Sequence, residues 1–136
     1  MAGAPKKHSI LFVDDEPEVT RGIRLALRKM PYKVLTANSA AEGLEILAEE
    51  HVDVVVSDER MPEMGGAEFL TVVRQRWPET VRLILSGHAS LESAIGAINE
   101  AGIYRFLVKP CAPDELAFCL AQALEAYDEK KRYDAQ

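Results

Sequence analysis

The chain has 136 residues, is 48% hydrophobic and 28% charged, and carries a formal net charge of −6. That length and balance suit one globular domain with its own core and exclude a fully disordered chain. A pI near 5.1 argues against a face built for nucleic acid. Apolar runs such as those at 10–13 and 54–56 are only a few residues long, far too short to cross a membrane.

In chain order, residues 1–7 carry Lys6 and Lys7 but no apolar stretch. They read as a disordered start with no secretory signal. A β-branched, apolar run at 9–13 predicts a first strand, which ends in Asp14, Asp15 and Glu16. Pro17 suits the first turn of a helix whose apolar spacing runs through Val19, Ile23, Ala26, Leu27 and Met30. The second strand, at 33–37, is more mixed and suits an edge. Ser39 and Glu42 then form a capping-box pattern before Ala40, Leu44, Leu47 and Ala48. A third strand at 52–57 leads into Asp58, Glu59, Arg60, Met61 and Pro62. The helix after it carries Phe69, Leu70, Val73 and Trp77 and stops at Pro78. A fourth strand at 81–85 is followed by Ser86, Gly87 and His88, and by a helix with Leu91, Ala94, Ile95 and Ile98 on its apolar face. Gly102 suits the position just past that helix. The fifth strand, at 104–108, ends in Lys109 and Pro110. Pro113 then opens a helix carrying Leu116, Cys119, Leu120, Ala123, Leu124 and Tyr127. Residues 128–136 are polar and read as a helix extension or linker, with fraying as the simpler expectation. Residues 8–127 thus form the domain.

All the strands except 33–37 lack polar alternation and read as buried on both faces. The order is β-α repeated five times. One crossover helix between strands requires parallel pairing and right-handed crossovers, which gives an open sheet covered by helices on both faces. Cys111 and Cys119 have no metal-ligand spacing and read as free thiols in a reducing cytosol. His8, His51 and His88 are scattered.

In such a sheet, ligands bind beyond the carboxyl ends of the strands. Those ends hold Asp14, Asp15, Asp58, Ser86 and Lys109. Three neighbouring carboxylates repel one another unless a proton or a cation intervenes. A hard divalent ion such as Mg2+ (or Mn2+) with oxygen ligands suits the cluster. With Lys109 it leaves the pocket formally neutral, ready for an anion. A carboxylate can itself act as nucleophile and form an aspartyl phosphate. The metal, Lys109, Ser86 and backbone N–H groups are then available to the phosphoryl oxygens.

With these residues in place the chain resembles the receiver domain of two-component response regulators, over roughly residues 8–127. The resemblance rests on Asp14-Asp15, on Asp58 with Met61-Pro62 and Gly65-Gly66, on Ser86-Gly87, and on Phe106-Leu107-Val108-Lys109-Pro110. It implies a doubly wound (βα)5, flavodoxin-like α/β fold with strand order 2-1-3-4-5. It implies Asp58 as phosphoacceptor, Asp15 as a direct Mg2+ ligand, Asp14 acting largely through water, and a metal contact from the backbone carbonyl of Arg60. Lys109 and Ser86 would hold phosphoryl oxygens, Ser86 and Phe106 would form the switch, and the Lys109–Pro110 bond would be cis. The implied partners are a sensor histidine kinase and an output domain or downstream protein, with a homodimer through the last two helices and strand 5. The setting would be cytoplasmic, with no membrane and no direct nucleic-acid contact by this domain. Slow self-catalysed gain and loss of the phosphoryl group would replace enzymatic turnover.

Two stretches, 58–62 and 97–106, look like receivers that precede HD-type cyclic-dinucleotide phosphodiesterases or hydrogenase-type transcription regulators. The chain has no room for such an output domain, so it is expected to stand alone or to be cut before one. Ser86 stands where many members carry Thr, and Cys111 where bulkier residues are frequent.

Plainer readings compete. Asp14 and Asp15 could cap the first helix, Ser86 could serve a turn, Lys109 could be solvated, and Phe106 could be an ordinary core aromatic. Arg60 and His88 could overhang the pocket and tune dephosphorylation, or simply be solvated. A haloacid-dehalogenase-like phosphohydrolase would want a second Asp at position 60, where this chain has Arg. A flavin module would want a phosphate loop in place of Asp14-Asp15-Glu16. A phosphorylation-independent interaction module of the same fold is the remaining alternative.

Overall fold

Ile10, Leu11, Phe12 and Val13 are each at most 1% exposed, which requires cover on both faces of the strand that carries them. The computed structural model, which describes residues 8–87 and 91–134, supplies that cover. Its elements in chain order are β1 (His8–Val13), α1 (Pro17–Leu27), β2 (Tyr32–Ala37), α2 (Ala40–Glu49) and β3 (Val54–Asp58). They continue with α3 (Gly66–Arg76), β4 (Val81–Ser86), α4 (Leu91–Ala101), β5 (Arg105–Val108) and α5 (Pro113–Asp134). The five strands pair in parallel in the order β2-β1-β3-β4-β5.

The two-residue period of the strands sorts side chains into two cores. Leu11, Val13, Val55 and Ile84 pack with α2, α3 and α4 through Leu47, Phe69, Leu70, Val73, Ala97 and Ala101. Ile10, Phe12, Val54, Val56, Leu83 and Leu107 pack with α1 and α5 through Leu27, Leu116, Leu120 and Leu124. Each fully buried aliphatic or aromatic side chain contributes roughly 1.5–3 kcal/mol of transfer free energy, so β1, which feeds both cores, is the spine of the domain.

Several expectations need correction. β5 is an edge strand with Arg105 and Val108 exposed, so it is not buried on both faces. α1 ends at Leu27, and Ala26 and Met30 are exposed where the spacing put them inside. Thr20 is buried in their stead. In α2, Gly43 faces the sheet and Ala48 faces solvent. In α4, Ile95 and Ile98 are 49% and 52% exposed while Ala97 and Ala101 are buried. Small residues lie on the inward stripe because α4 packs closely against α3. The side chain of Leu91 and all of His88 and residues 1–7 lie outside the described residues.

The tail does not fray after Tyr127. Polar contacts to the base of the sheet hold the helix through Asp134. His8 Nε2 lies 3.1 Å from Asp128 Oδ1, Lys130 donates to the Pro78 carbonyl at 3.2 Å, and Lys131 pairs with Glu79 at 2.9 Å.

Local chemistry sets the helix ends as expected. The Ser39 hydroxyl accepts the Glu42 N–H, Pro17 occupies the first turn of α1, and Gly102 follows α4 with φ +60°. Gly66 is a packing requirement. Its N–H donates to the Glu59 carbonyl at 2.8 Å, and an added Cβ would overlap the Asp58 carbonyl oxygen. Gly66→Ala is expected to destabilise the fold by about 1–3 kcal/mol, read as a lower urea midpoint at unchanged m-value.

Candidate functional site

The strand register brings the chemistry to one row. Val13 is level with Ser57, Asp58 with Leu85, and Ser86 with Val108. Asp14 and Asp58 therefore leave their strands at the same height, and Lys109 follows β5 at the same sheet edge. Lys109 Nζ lies 3.0 Å from Asp14 Oδ2 and 3.2 Å from Asp58 Oδ1. Asp14 is 3% exposed and Asp58 8%, so the ammonium bridges two carboxylates largely withdrawn from water.

Backbone contacts hold Asp14. Its Oδ1 accepts the Glu16 N–H at 2.9 Å, and Asn38 Nδ2 donates to its carbonyl at 2.9 Å. Asn38 also donates to the Thr20 hydroxyl, so the end of β2 braces the start of the β1–α1 loop. Nothing in the sequence singled out that bracing role, because it depends on the β1–β2 pairing.

Burial pushes the Asp58 carboxyl above its ordinary value, and the Asp14 charge adds to the effect. Lys109 opposes both without cancelling them. Burial alone would lower the Lys109 ammonium, but its hydrogen bonds to Asp14 and Asp58 and their charges hold it above its usual value. Burial and the nearby Glu115 raise the Cys111 thiol, which keeps it protonated and weakly nucleophilic at neutral pH.

Asp15, half-buried, groups with Asp14 and the exposed Glu16, their carboxylate oxygens lying within 4.8 Å of one another. This all-oxygen donor set fits a hard divalent cation. Glu16 was not among the ligands expected, although it adjoins them in sequence. The Arg60 side chain is exposed. The Lys109–Pro110 bond is cis. Phe106 is half-buried and packs on the core shared with α3 and α4.

Ser86, 1% exposed, ends β4 on the same edge, and its hydroxyl donates to Glu59 Oε1 at 2.8 Å. Glu59 carries no expected role in the sequence. Its position directly after Asp58 was the available signal, but the direction of its side chain depends on the fold of the β3–α3 loop.

Comparison with known proteins agrees with this architecture. Residues 10–121 match the family described as the response regulator receiver domain. The chain is 43% identical over 121 residues to the hydrogenase transcriptional regulatory protein HoxA of Cupriavidus necator, covering 89% of this chain and 25% of that protein. It is 38% identical over 131 residues to the transcriptional regulatory protein GlrR of Escherichia coli, covering 93% and 29%. The chain thus spans about a quarter of the length of these curated relatives. Among solved structures, the signal receiver domain of an HD domain-containing protein from Pseudomonas fluorescens superposes with a TM-score of 0.88 at 35% identity, covering 91% of this chain and 99% of that one. The chemotaxis protein CheY4 of Vibrio cholerae gives 0.83 at 30% identity, covering 88% and 100%.

The raised Asp58 carboxyl has a consequence for stability. A group whose pKa is raised on folding favours the fold most below its unfolded value and loses that contribution as pH rises through the folded value. Without divalent metal at neutral pH, Asp58→Asn is expected to melt a few degrees above the wild type. The gap should narrow on acidification as Asp58 protonates. Thermal unfolding followed by circular dichroism checks this. Mg2+ should raise the wild-type midpoint and move that of the variant less.

Proposed function

The chain belongs to the response regulator receiver family, and from that premise we propose that Asp58 takes a phosphoryl group from a phosphohistidine on a sensor histidine kinase. A carboxylate oxygen of Asp58 forms a bond to phosphorus, the phosphorus–nitrogen bond to the imidazole breaks, and an acyl phosphate results. The observation that supports this reading is the Lys109 ammonium bridging buried Asp14 and Asp58 at the carboxyl edge of the sheet.

The residues divide the work. Asp58 is held by its strand, with Oδ1 on Lys109, and attacks through its carboxylate. Lys109, fixed as an ammonium by Asp14, offsets charge on the phosphoryl oxygens and restrains the attacking carboxylate. Asp14, Asp15 and Asp58 with the Arg60 backbone carbonyl would hold Mg2+ (or Mn2+), which when bound supplies positive charge at the phosphoryl oxygens. Ser86 donates its hydroxyl to a phosphoryl oxygen, and Phe106 repacks as β4 and β5 adjust, which changes the surface a partner meets. The phosphoryl group leaves slowly by the chain's own chemistry, so the domain acts as a timed switch. No helix among the described residues is long and apolar enough to cross a membrane, and the reading puts the domain in the cytoplasm beside its kinase. The output is an attached domain or a downstream protein, and the likeness to hydrogenase transcriptional regulators makes a transcription-regulating segment the preferred choice.

The exposed Ile95, Ile98, Tyr104, Val108 and Phe118 lie on α4, its connection to β5, β5 itself and α5. They supply an apolar face for a second copy of this chain. If that face carries the dimer, Ile98→Asp shifts the phosphorylated protein to monomer in sedimentation while leaving phosphorylation intact.

Incubation with acetyl phosphate and Mg2+ is expected to add one phosphoryl mass. The gain should vanish in Asp58→Asn and under chelation, and Lys109→Ala should slow it by roughly a hundredfold. No gain from either the small donor or a phosphorylated histidine kinase would instead favour a phosphorylation-independent interaction module.

A further inference from the structure

The Ser86 hydroxyl carries one proton, so it cannot donate fully to two acceptors at once. In this structure it donates to Glu59 Oε1 at 2.8 Å. A hydroxyl bound to an ionised carboxylate makes a stronger bond than one between neutral groups. The carboxylate has a fixed base, since the Glu59 carbonyl accepts the Gly66 N–H and the loop has no room for a side chain at Gly66. Ser86 is fixed too. It is almost fully buried, it ends β4 level with Val108, and its carbonyl accepts the Lys109 N–H at 2.7 Å. A phosphoryl group on Asp58 would bring new anionic oxygens next to this pair, and they would compete with Glu59 for the same proton.

We propose that Glu59 is a positioning residue that holds the Ser86 hydroxyl on its own carboxylate in the resting protein and yields it to the phosphoryl group when Asp58 is modified. The proposal rests on the reading of Asp58 as phosphoacceptor. The exchange breaks no covalent bond: the proton stays on Ser86 and only its acceptor changes. Glu59 thereby opposes the activated form, because each phosphorylation event must first give up a charge-assisted hydrogen bond. Charge alone would oppose it as well, and the two effects differ in one respect. The latch acts only through the Ser86 hydroxyl, whereas repulsion between Glu59 and the phosphoryl oxygens does not need that hydroxyl.

The test is a double-mutant cycle on the full chain, with beryllofluoride and Mg2+ as the probe and amide chemical shifts as the readout of binding. Glu59→Ala is expected to tighten beryllofluoride binding by about tenfold in the otherwise wild-type protein. In the Ser86→Ala protein the same substitution should tighten it by clearly less, about threefold or below, the share that repulsion alone supplies, and the deviation from additivity is the measured coupling. Glu59→Gln, which keeps an acceptor oxygen and removes the charge, should fall between wild type and Glu59→Ala. No tightening in Glu59→Ala, or equal tightening in the Ser86→Ala background, overturns the latch and leaves the phosphoacceptor reading standing. A wild-type protein that neither binds beryllofluoride nor gains a phosphoryl group overturns that reading, and the latch with it.

Discussion

The whole carboxyl edge depends on one ammonium group. Asp14 and Asp58 leave adjacent strands level with each other and nearly buried, an arrangement that two like charges resist. Lys109 Nζ reaches both from the end of β5 and makes the arrangement tenable. It does not make it comfortable, since the Asp58 carboxyl remains above its ordinary value. Residual crowding of this kind favours a divalent cation at the edge and makes the Asp58 carboxylate sensitive to whatever charge arrives beside it.

Much of the fold exists to hold that geometry. β1 is buried on both faces, so its register with β2 and β3 is strongly specified, and a slip of one residue would turn Asp14 away and expose an apolar row. Gly66 lets the chain pass close behind Asp58, and Asn38 ties the β1–α1 loop to the end of β2. The far side of the sheet is built differently. β5 is an edge strand, α4 turns Ile95 and Ile98 outward, and Phe106 is only half-buried. A rigid, doubly covered centre thus adjoins a less covered flank. That contrast suits a domain whose chemistry stays in place while its surface changes.

The fold was legible in the sequence to a large extent, because its signals are local. Apolar runs of strand length, helix-period spacing between them, Pro17 and Pro113 at helix starts and Gly102 past α4 all act within a few residues. Single-face assignments were less secure. In α4 the larger apolar residues suggested an inward face, yet the close α3–α4 packing selected Ala97 and Ala101. At the last helix the composition suggested fraying, and distant partners such as Glu79 and His8 extend the helix instead. The acidic residues were visible as a group because they follow strands directly. Glu59 stood among them in the sequence and went without a role.

The order of strands and helices, the two-sided burial of β1 and the clustering of Asp14, Asp15, Asp58, Ser86 and Lys109 at one edge were determined by the sequence alone. Periodicity and the rules of parallel crossover allow few other arrangements. Only the tertiary structure decided that Lys109 bridges Asp14 and Asp58, that Asn38 braces Asp14, and that the Ser86 hydroxyl donates to Glu59. Each of these is a contact between segments far apart in the chain, set by register and packing to within a fraction of an ångström, and no local pattern of residues encodes a distance of that kind.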